Sequence, residues 1–216
     1  MSQHHHDHVH PHPHAPISDH GREPRPEYRI LEQAMRELLI EKGVFTADEW
    51  RRQIELMDSR SAAMGARIVA RAWVDPAYKK RLLADAKAAA NELGVDTSNA
   101  PMVMALENTP TLHHLVTCTL CSCYPKAILG IPPAWYKSEA YRARAVKDPR
   151  GVLKEFGTEL GSDVEVRVMD STADLRYLVL PLRPSGTEGM TEEQLADLVT
   201  RDSMIGVTTA RPPSQH

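Results

Sequence analysis

The sequence predicts an α+β fold, and two features of its pattern indicate this. Apolar residues recur at helical spacing over the first part of the chain, as far as Leu93. After Gly94 the spacing changes to the alternation of strands, which is clearest from Val164 to Val168. All three cysteines lie within six residues, from Cys118 to Cys123. We therefore expect a helical segment followed by a mixed core that presents one cysteine loop.

The first 26 residues, 1–26, differ in composition from the rest of the chain. Seven of the eleven histidines lie between His4 and His14, among Asp, Val and Pro, and the segment has little that a core could bury. Such a composition is typical of a disordered tail. Because imidazole binds late first-row metals, we hypothesise that this His-rich tail collects cobalt; a solubilising tail with unspecific metal affinity is the alternative.

Residues 27–93 are predicted to form an N-terminal helical arm. The first helix carries apolar residues from Ile30 to Leu39, and Gly43 ends it. The apolar faces of this segment fit a partner chain and an ordinary helical layer within the chain equally well.

Two further helices complete the predicted arm. The second begins at a capping box formed by Thr46 and Glu49 and extends to about Trp73. The third begins at Asp75-Pro76 and extends to Leu93.

Residues 94–216 are predicted to form the α+β core that binds the metal. Short runs of β-forming residues predict four strands, at Met102–Leu106, Leu112–Thr117, Val164–Val168 and Leu175–Leu180. Stop and cap signals predict two helices, one from Pro149 to Phe156 and one that Thr191 and Gln194 cap and that extends to Val199.

Charge and hydropathy exclude several classes of partner. With 26 basic and 29 acidic residues, the net charge of −3 gives no reason to expect nucleic acid binding. The sequence has no apolar run long enough to cross a membrane and no hydrophobic signal segment. Clustered cysteines without a disulfide framework agree with a reducing compartment, so we expect a cytoplasmic protein.

The motif CTLCSC places Cys118, Cys121 and Cys123 at spacings that indicate a metal site. Soft thiolates prefer zinc, copper(I), iron or cobalt over magnesium and calcium. A closed structural zinc site would need another ligand, such as His113 or His114. These neighbours would point to opposite faces of a strand, so at most one could reach the metal, and a packing role is favoured.

The backbone offers the missing ligands. In a Cys-Ser-Cys turn, the amide nitrogens of Ser122 and Cys123 lie between the flanking sulfurs. Trivalent iron or cobalt is acidic enough to displace the amide protons, whereas zinc normally is not. Three sulfurs and two nitrogens leave the sixth position open, as in a catalytic site.

Several segments together resemble a known family. They are CTLCSCYP, LGIPPAWYKSEAYRARAVKDPRGVLKEFG, RYLVLPLRPSGTEG and LVTRDSMIGV. From about Glu27 to Val207 the chain is similar to the alpha subunit of cobalt-type nitrile hydratase and to a close relative, the gamma subunit of thiocyanate hydrolase. The resemblance implies a layered helix-sheet-sheet-helix core.

The resemblance also implies the state of the metal ligands. Cys118 is then an unmodified thiolate, Cys121 a sulfinate and Cys123 a sulfenate, and the backbone nitrogens of Ser122 and Cys123 complete the claw. Family members with Thr at the position of Thr119 usually carry cobalt. We therefore predict one low-spin Co(III) per chain, with iron(III) as the alternative.

The implied activity is hydration of a small nitrile to an amide. Cys121, Ser122 and Cys123 would form the catalytic centre, with the Cys123 sulfenate as a candidate nucleophile. The resemblance further implies a beta subunit whose arginines bind the oxidised cysteines, a heterodimer or heterotetramer, and an activator protein for cobalt insertion. Arg142, Arg144 and Arg150 of this chain are expected to be surface charges.

One position departs from the nitrile hydratase pattern. Where that family commonly has CYPWP, this chain has Tyr124, Pro125, Lys126 and Ala127 after Cys123. We assign Tyr124 and Lys126 to the substrate pocket, where the cation would favour an anion such as thiocyanate. Alternatively, Lys126 points into a subunit interface or solvent. Hydrolysis of thiocyanate to carbonyl sulfide and ammonia, and a non-enzymatic cobalt or zinc carrier, are the alternative functions.

Overall fold

The structure, a computed structural model, describes residues 26–213. The helices are α1 (Pro26–Glu41), α2 (Ala47–Ser59), α3 (Ala62–Val74), α4 (Pro76–Ala84), α5 (Ala86–Glu92), α6 (Lys126–Leu129), α7 (Ala134–Lys137), α8 (Glu139–Lys147), α9 (Pro149–Glu155), α10 (Glu192–Asp197) and α11 (Arg201–Ile205). The strands are β1 (Met102–Glu107), β2 (Leu112–Thr117), β3 (Glu165–Asp170) and β4 (Leu175–Leu180). The predicted His-rich tail lies outside the described residues, except for its last residue. Within them, no helix is both long and apolar enough to span a bilayer.

The mixed helix and strand composition that the sequence predicts is confirmed. All four predicted strands form, and β2 and β4 have the predicted ends. They pair as two parallel two-stranded sheets, β1 with β4 and β2 with β3. The predicted layering of helices and sheets stays a prediction.

Parallel pairing sets the position of the cysteine loop. Because β2 and β3 run in the same direction, their carboxyl ends meet at one edge, and Thr117 lies opposite Asp170. The cysteine loop leaves β2 at this edge. Residues that follow β3 therefore lie beside the cysteine loop, although they are about fifty positions away in sequence.

Two of the predicted helices are wrong in extent. The second ends at Ser59, because Arg60 and Ser61 are extended and α3 begins anew after Ser61. The third is interrupted at Asp85, whose carboxylate accepts a hydrogen bond from the amide of Ala88 and caps α5. Short polar residues such as Asp favour caps over helix interiors, which explains the break at Asp85.

The hydrophobic core includes most of the predicted arm. Ile68 and Val69 of α3, Leu82 of α4 and Ala89 of α5 are fully buried in the same cluster as the strands. Of the two alternatives for the arm, α3 to α5 therefore follow the second: they pack as helices within this chain. By contrast, α1 and α2 have no buried residue among those whose side chains are described.

Several helices had no clear signal in the sequence. The pattern did not indicate α6, α7, α8 or α11, each of nine residues or fewer. The helix expected to extend to Val199 forms as α10, which keeps the predicted capping box of Thr191 and Gln194 and ends at Asp197. A separate helix, α11, follows after a second capping box at Thr200 and Ser203. Helices of nine residues or fewer are too short to show a helical repeat of apolar residues in the sequence.

Candidate metal centre

The three cysteines converge in the loop between β2 and α6. Cys118 Sγ lies 3.4 Å from Cys121 Sγ, and Cys121 Sγ lies 3.0 Å from Cys123 Sγ. All three sulfurs lie within 4.8 Å of one another, and all are free thiols. Cys118 and Cys123 are buried, while Cys121 is exposed. In the described part of the chain, this is the one group of three or more His, Cys, Asp or Glu side chains spaced to hold an ion.

Two backbone amides of the loop act on the Cys121 sulfur. The pKa of Cys121 is lowered mainly by hydrogen bonds with the Cys123 and Cys118 thiols, and the amides of Cys123 and Ser122 add to this effect. Burial raises the pKa of Cys123 to about 12. The loop therefore brings together soft sulfurs and the two amides proposed as nitrogen ligands. This donor set fits a trivalent cobalt or iron ion.

The start of the loop is fixed to β3. The Asp170 carboxylate accepts two hydrogen bonds from Thr119, one from the amide at 2.9 Å and one from the hydroxyl at 2.6 Å. On the other side, the Arg142 guanidinium donates to the Thr119 carbonyl over 3.0 Å. Arg142, which is partly exposed, is thus also a support of the loop. Arg144 and Arg150 pair with Glu155 and with loop carbonyls, respectively.

Aromatic side chains support the end of the loop. The buried Tyr136 hydroxyl donates to the Cys123 carbonyl over 2.7 Å, and the Tyr141 hydroxyl donates to the Val116 carbonyl over 2.6 Å. The Tyr124 ring packs edge-on against Tyr136, with 5.2 Å between centroids. Burial raises the pKa of Tyr124 and of Tyr136, so both phenols stay protonated.

The histidines before the loop are packing residues. His113 Nε2 donates to the Gly206 carbonyl over 2.7 Å, so its Nδ1 accepts from Asn108. The Asn108 side-chain oxygen accepts from the backbone amide and Nδ1 of His114. Both rings are buried, and neither belongs to the cysteine group. The predicted packing role of this pair is confirmed.

A cavity of about 390 Å³ lies beside the loop. Cys121, Ser122 and Cys123 form one wall, and the predicted pocket residues Tyr124 and Lys126 line it as well. Lys126 is exposed, and Tyr124 is buried. The catalytic and metal-binding roles of these residues stay predictions, but the structure brings all of them to one cavity.

Several residues around the site were not indicated by the sequence. Asp170 and Tyr136 support the loop, and Arg60 and Arg176 line the cavity. Asp170 stands at the end of the alternating β3 pattern, but its contact with the loop follows from the parallel pairing of β3 with β2, which the sequence does not show. Arg60 carries no local signal, because only the break between α2 and α3 brings it to the cavity.

The chain is similar to known proteins over most of its length. The family described as nitrile hydratase, alpha chain, matches residues 26–208. The low-molecular weight cobalt-containing nitrile hydratase subunit alpha of Rhodococcus rhodochrous is 55% identical over 184 residues, 85% of this chain and 89% of that protein. Thiocyanate hydrolase subunit gamma of Thiobacillus thioparus is 46% identical over 197 residues, 86% of this chain and 81% of that protein.

Solved structures are similar as well. A double mutant of the Fe-type nitrile hydratase from Comamonas testosteroni Ni1 matches with a TM-score of 0.82 and 41% identity. The match covers 88% of this chain and 94% of that one. An Fe-type nitrile hydratase therefore shares this fold.

Proposed function

Because this chain belongs to the nitrile hydratase alpha-chain family, we propose that it is the metal-binding subunit of an enzyme that hydrates small nitriles to amides at a cobalt(III) centre. The convergence of the Cys118, Cys121 and Cys123 sulfurs is the observation that carries this proposal. Cobalt is preferred to iron because Thr119 follows the first cysteine, and the 55% identical relative is named as cobalt-containing.

Each residue of the loop has a proposed role. Cys118, Cys121 and Cys123 would bind the ion through sulfur, and Ser122 and Cys123 would bind it through their backbone nitrogens. Cobalt(III) bound there would supply Lewis-acid activation of the nitrile. Cys121 would be oxidised to sulfinate and Cys123 to sulfenate, which is the candidate nucleophile. Hydration adds one water across the C≡N bond: oxygen joins carbon, and both protons end on nitrogen.

The surrounding residues hold this loop and shape the pocket. Asp170 and Tyr136 fix its two ends, so the sulfurs meet without rearrangement of the backbone. Tyr124 and Lys126 would contact the substrate. Oxidised sulfurs are anionic acceptors that need donors, and we propose that arginines of a beta subunit supply them in a heterodimer or heterotetramer, with an activator protein for cobalt insertion. We place this assembly in the cytoplasm.

The composition of the loop tests the proposal directly. The chain would be purified after co-expression with its partner gene in cobalt medium, and its Cys118–Cys123 peptide analysed for mass and metal. We expect one cobalt per chain and an added mass of three oxygens, two from sulfinate and one from sulfenate. Reduced thiols with exchangeable zinc would indicate the carrier alternative instead.

The nucleophile can be identified by isotope transfer. If the sulfenate oxygen of Cys123 attacks the nitrile, an oxygen-18 label placed on that sulfenate should appear in the amide of the first turnover. A first-turnover amide without label would exclude this role for Cys123.

Thiocyanate hydrolysis is a second candidate function. The observation that favours it is Lys126 on the cavity wall, in a chain 46% identical to a thiocyanate hydrolase subunit. Two waters would convert thiocyanate to carbonyl sulfide, ammonia and hydroxide. Replacement of Lys126 by Trp, the residue common in nitrile hydratases, should lower activity on thiocyanate relative to a neutral nitrile. The two activities would be measured on one cobalt-loaded preparation.

A further inference from the structure

Three cations line the cavity beside the cysteine loop, and they come from separate parts of the chain. Arg60 lies between α2 and α3, Lys126 begins α6, and Arg176 lies in β4. Among the described residues that line the cavity, none is Asp or Glu. Within residues 26–213, none of the three cations forms a salt bridge. The cavity wall therefore carries positive charge without a paired carboxylate.

One acidic group within electrostatic reach of Arg60 is already bound elsewhere. Asp96 responds to the charge of Arg60, yet that effect is the smallest of the causes that lower its pKa. Its carboxylate accepts from the amide of Ser98 at 2.9 Å and from the hydroxyl of Ser98 at 2.6 Å. Arg60 is thus free to meet a ligand in the cavity.

The three cations differ in what they bind. The Arg176 guanidinium donates over 3.4 Å to the carbonyl of Leu175, its neighbour in β4. Arg60 and Lys126 line the cavity without an ion pair among the described residues. Unpaired cations in a concave wall raise the local concentration of small anions.

Arg60 is held more firmly than its place at the end of an exposed helix suggests. A Cβ atom added at Gly130 would lie 2.6 Å from the Arg60 carbonyl oxygen, so the two backbones are in close contact. The Arg60 amide also donates to the Met57 carbonyl. As a whole residue, Arg60 is partly buried, whereas Lys126 is exposed. A planar guanidinium on a fixed backbone can recognise an anion with defined geometry.

We propose that Arg60, together with Lys126, forms a subsite for one negative charge, and that the substrate class is a small anion with a terminal cyano group. Thiocyanate and nitriles that bear a carboxylate share this chemistry. The inference rests on the proposed function and specifies its substrate class. The cavity volume of about 390 Å³ suits such small molecules.

Turnover of a matched substrate pair tests the subsite. The cobalt-loaded complex would be assayed with 3-cyanopropanoate, which is anionic, and 3-cyanopropanamide, which is neutral and similar in size. In Arg60→Gln we expect the anion-to-neutral ratio of kcat/KM to fall about fivefold, mainly through KM for the anion. Arg60→Lys should restore part of the ratio. Arg52→Gln removes the same charge from the exposed face of α2, and its ratio should equal that of the unmodified chain.

Thiocyanate provides the second arm of the assay. If Arg60→Gln lowers the turnover of thiocyanate more than that of the neutral 3-cyanopropanamide, the result supports the subsite with thiocyanate as its ligand. A fall confined to 3-cyanopropanoate supports it with a carboxylate as its ligand. If neither anion loses turnover relative to the neutral nitrile, the proposal is overturned.

A chemical probe tests the same charge without catalysis. The exposed Cys121 thiol of the metal-free, full-length chain would be alkylated with anionic iodoacetate and with neutral iodoacetamide. The ratio of the two rates cancels the thiolate fraction and reports the potential in the cavity. We expect a lower ratio in Arg60→Gln than in Arg52→Gln, and a smaller difference at high salt.

The two measurements separate failure of the subsite from failure of the proposed function. If no nitrile or thiocyanate is converted, the proposed activity fails, and the alkylation ratio alone decides whether the cavity attracts anions. An alkylation ratio equal in Arg60→Gln and Arg52→Gln would then refute the subsite.

Discussion

At the scale of single residues, Asp170 links two distant parts of the chain. Its carboxylate binds both the amide and the hydroxyl of Thr119, the residue after the first cysteine. This contact fixes the start of the cysteine loop where it leaves the end of β2 at Thr117. Residues that hydrogen-bond to a metal-binding loop without contacting the metal typically change metal affinity by about 10- to 100-fold when they are replaced.

Replacing Asp170 by Asn tests this support. The Asn side chain has one oxygen, which can accept one of the two hydrogen bonds from Thr119. Its NH₂ group would face the other Thr119 donor, so the second hydrogen bond is lost. We expect the affinity for cobalt to weaken about tenfold, measured as cobalt bound per chain at limiting cobalt. Asp58→Asn, an exposed carboxylate at the end of α2, is the control and should load normally.

The buried histidine pair predicts a pH dependence of stability. Burial lowers the pKa of His113 and of His114 below the ordinary value of 6.5. Below that value the unfolded chain binds protons that the folded chain does not, so stability is full above about pH 6.5 and falls as the pH decreases. Urea unfolding at several pH values should show this decline. The decline should be shallower in His113→Gln, and an equal slope in both proteins would contradict the assignment.

The sequence indicated the ligands of the site better than their supports. Cys118, Cys121 and Cys123 are adjacent in sequence, so their convergence needs only a local turn. Asp170 reaches the loop through the parallel pairing of β2 with β3. Pairing between strands about fifty residues apart leaves no local pattern, and its partners could not be read before the sheet was known.

At the scale of elements, the junction of α2 with α3 shows how close packing redirects a helix. The chain is extended at Arg60 and Ser61, where it contacts the backbone of Gly130. Apolar periodicity continues across this break, so the sequence predicted one helix to about Trp73. The interruption comes from a tertiary contact, which periodicity does not report.

Two glycines provide a matched test of this contact. Gly130 and Gly157 both have positive φ, +73° and +77°, but only a Cβ at Gly130 would meet other atoms, at 2.6 Å from the Arg60 carbonyl oxygen. Gly157→Ala should lower the free energy of unfolding by about 1–2 kcal/mol through backbone strain alone. Gly130→Ala should lower it by roughly a further 1–3 kcal/mol, through the clash and through a backbone conformation, with ψ of −148°, that alanine rarely adopts. Urea titration would measure both, and equal losses would rule out the contact.

At the scale of the whole molecule, α1 and α2 present an unusual amount of apolar surface. Large apolar side chains of α1 are about half exposed or more: Tyr28, Ile30, Leu31, Met35 and Leu38. Leu120, at the tip of the cysteine loop, is 90% exposed. Surfaces of this kind mark protein interfaces. The proposed beta subunit is the partner that would cover them.

Leu31→Glu tests this interface. A charge in the apolar face of α1 should reduce the amount of partner that co-purifies with the chain, because the carboxylate would be desolvated on assembly. Gln53→Glu adds the same charge on the exposed surface of α2 and should have a smaller effect. Thermal unfolding of the two isolated variants should be similar, since neither side chain is buried. Equal recovery of partner with both variants would contradict the proposed interface.

The contact between Thr119 and Asp170 also has a consequence for biosynthesis. Asp170 is translated 51 residues after Thr119, which corresponds to roughly 3–10 seconds at ordinary elongation rates. During that interval the three thiols have been synthesised, but the carboxylate that fixes their loop does not yet exist. A nascent chain would therefore offer loose thiols to any soft metal in the cell before it could discriminate among them. Faithful cobalt loading would accordingly follow the pairing of β3 with β2, and delivery of the metal after translation would favour the correct ion.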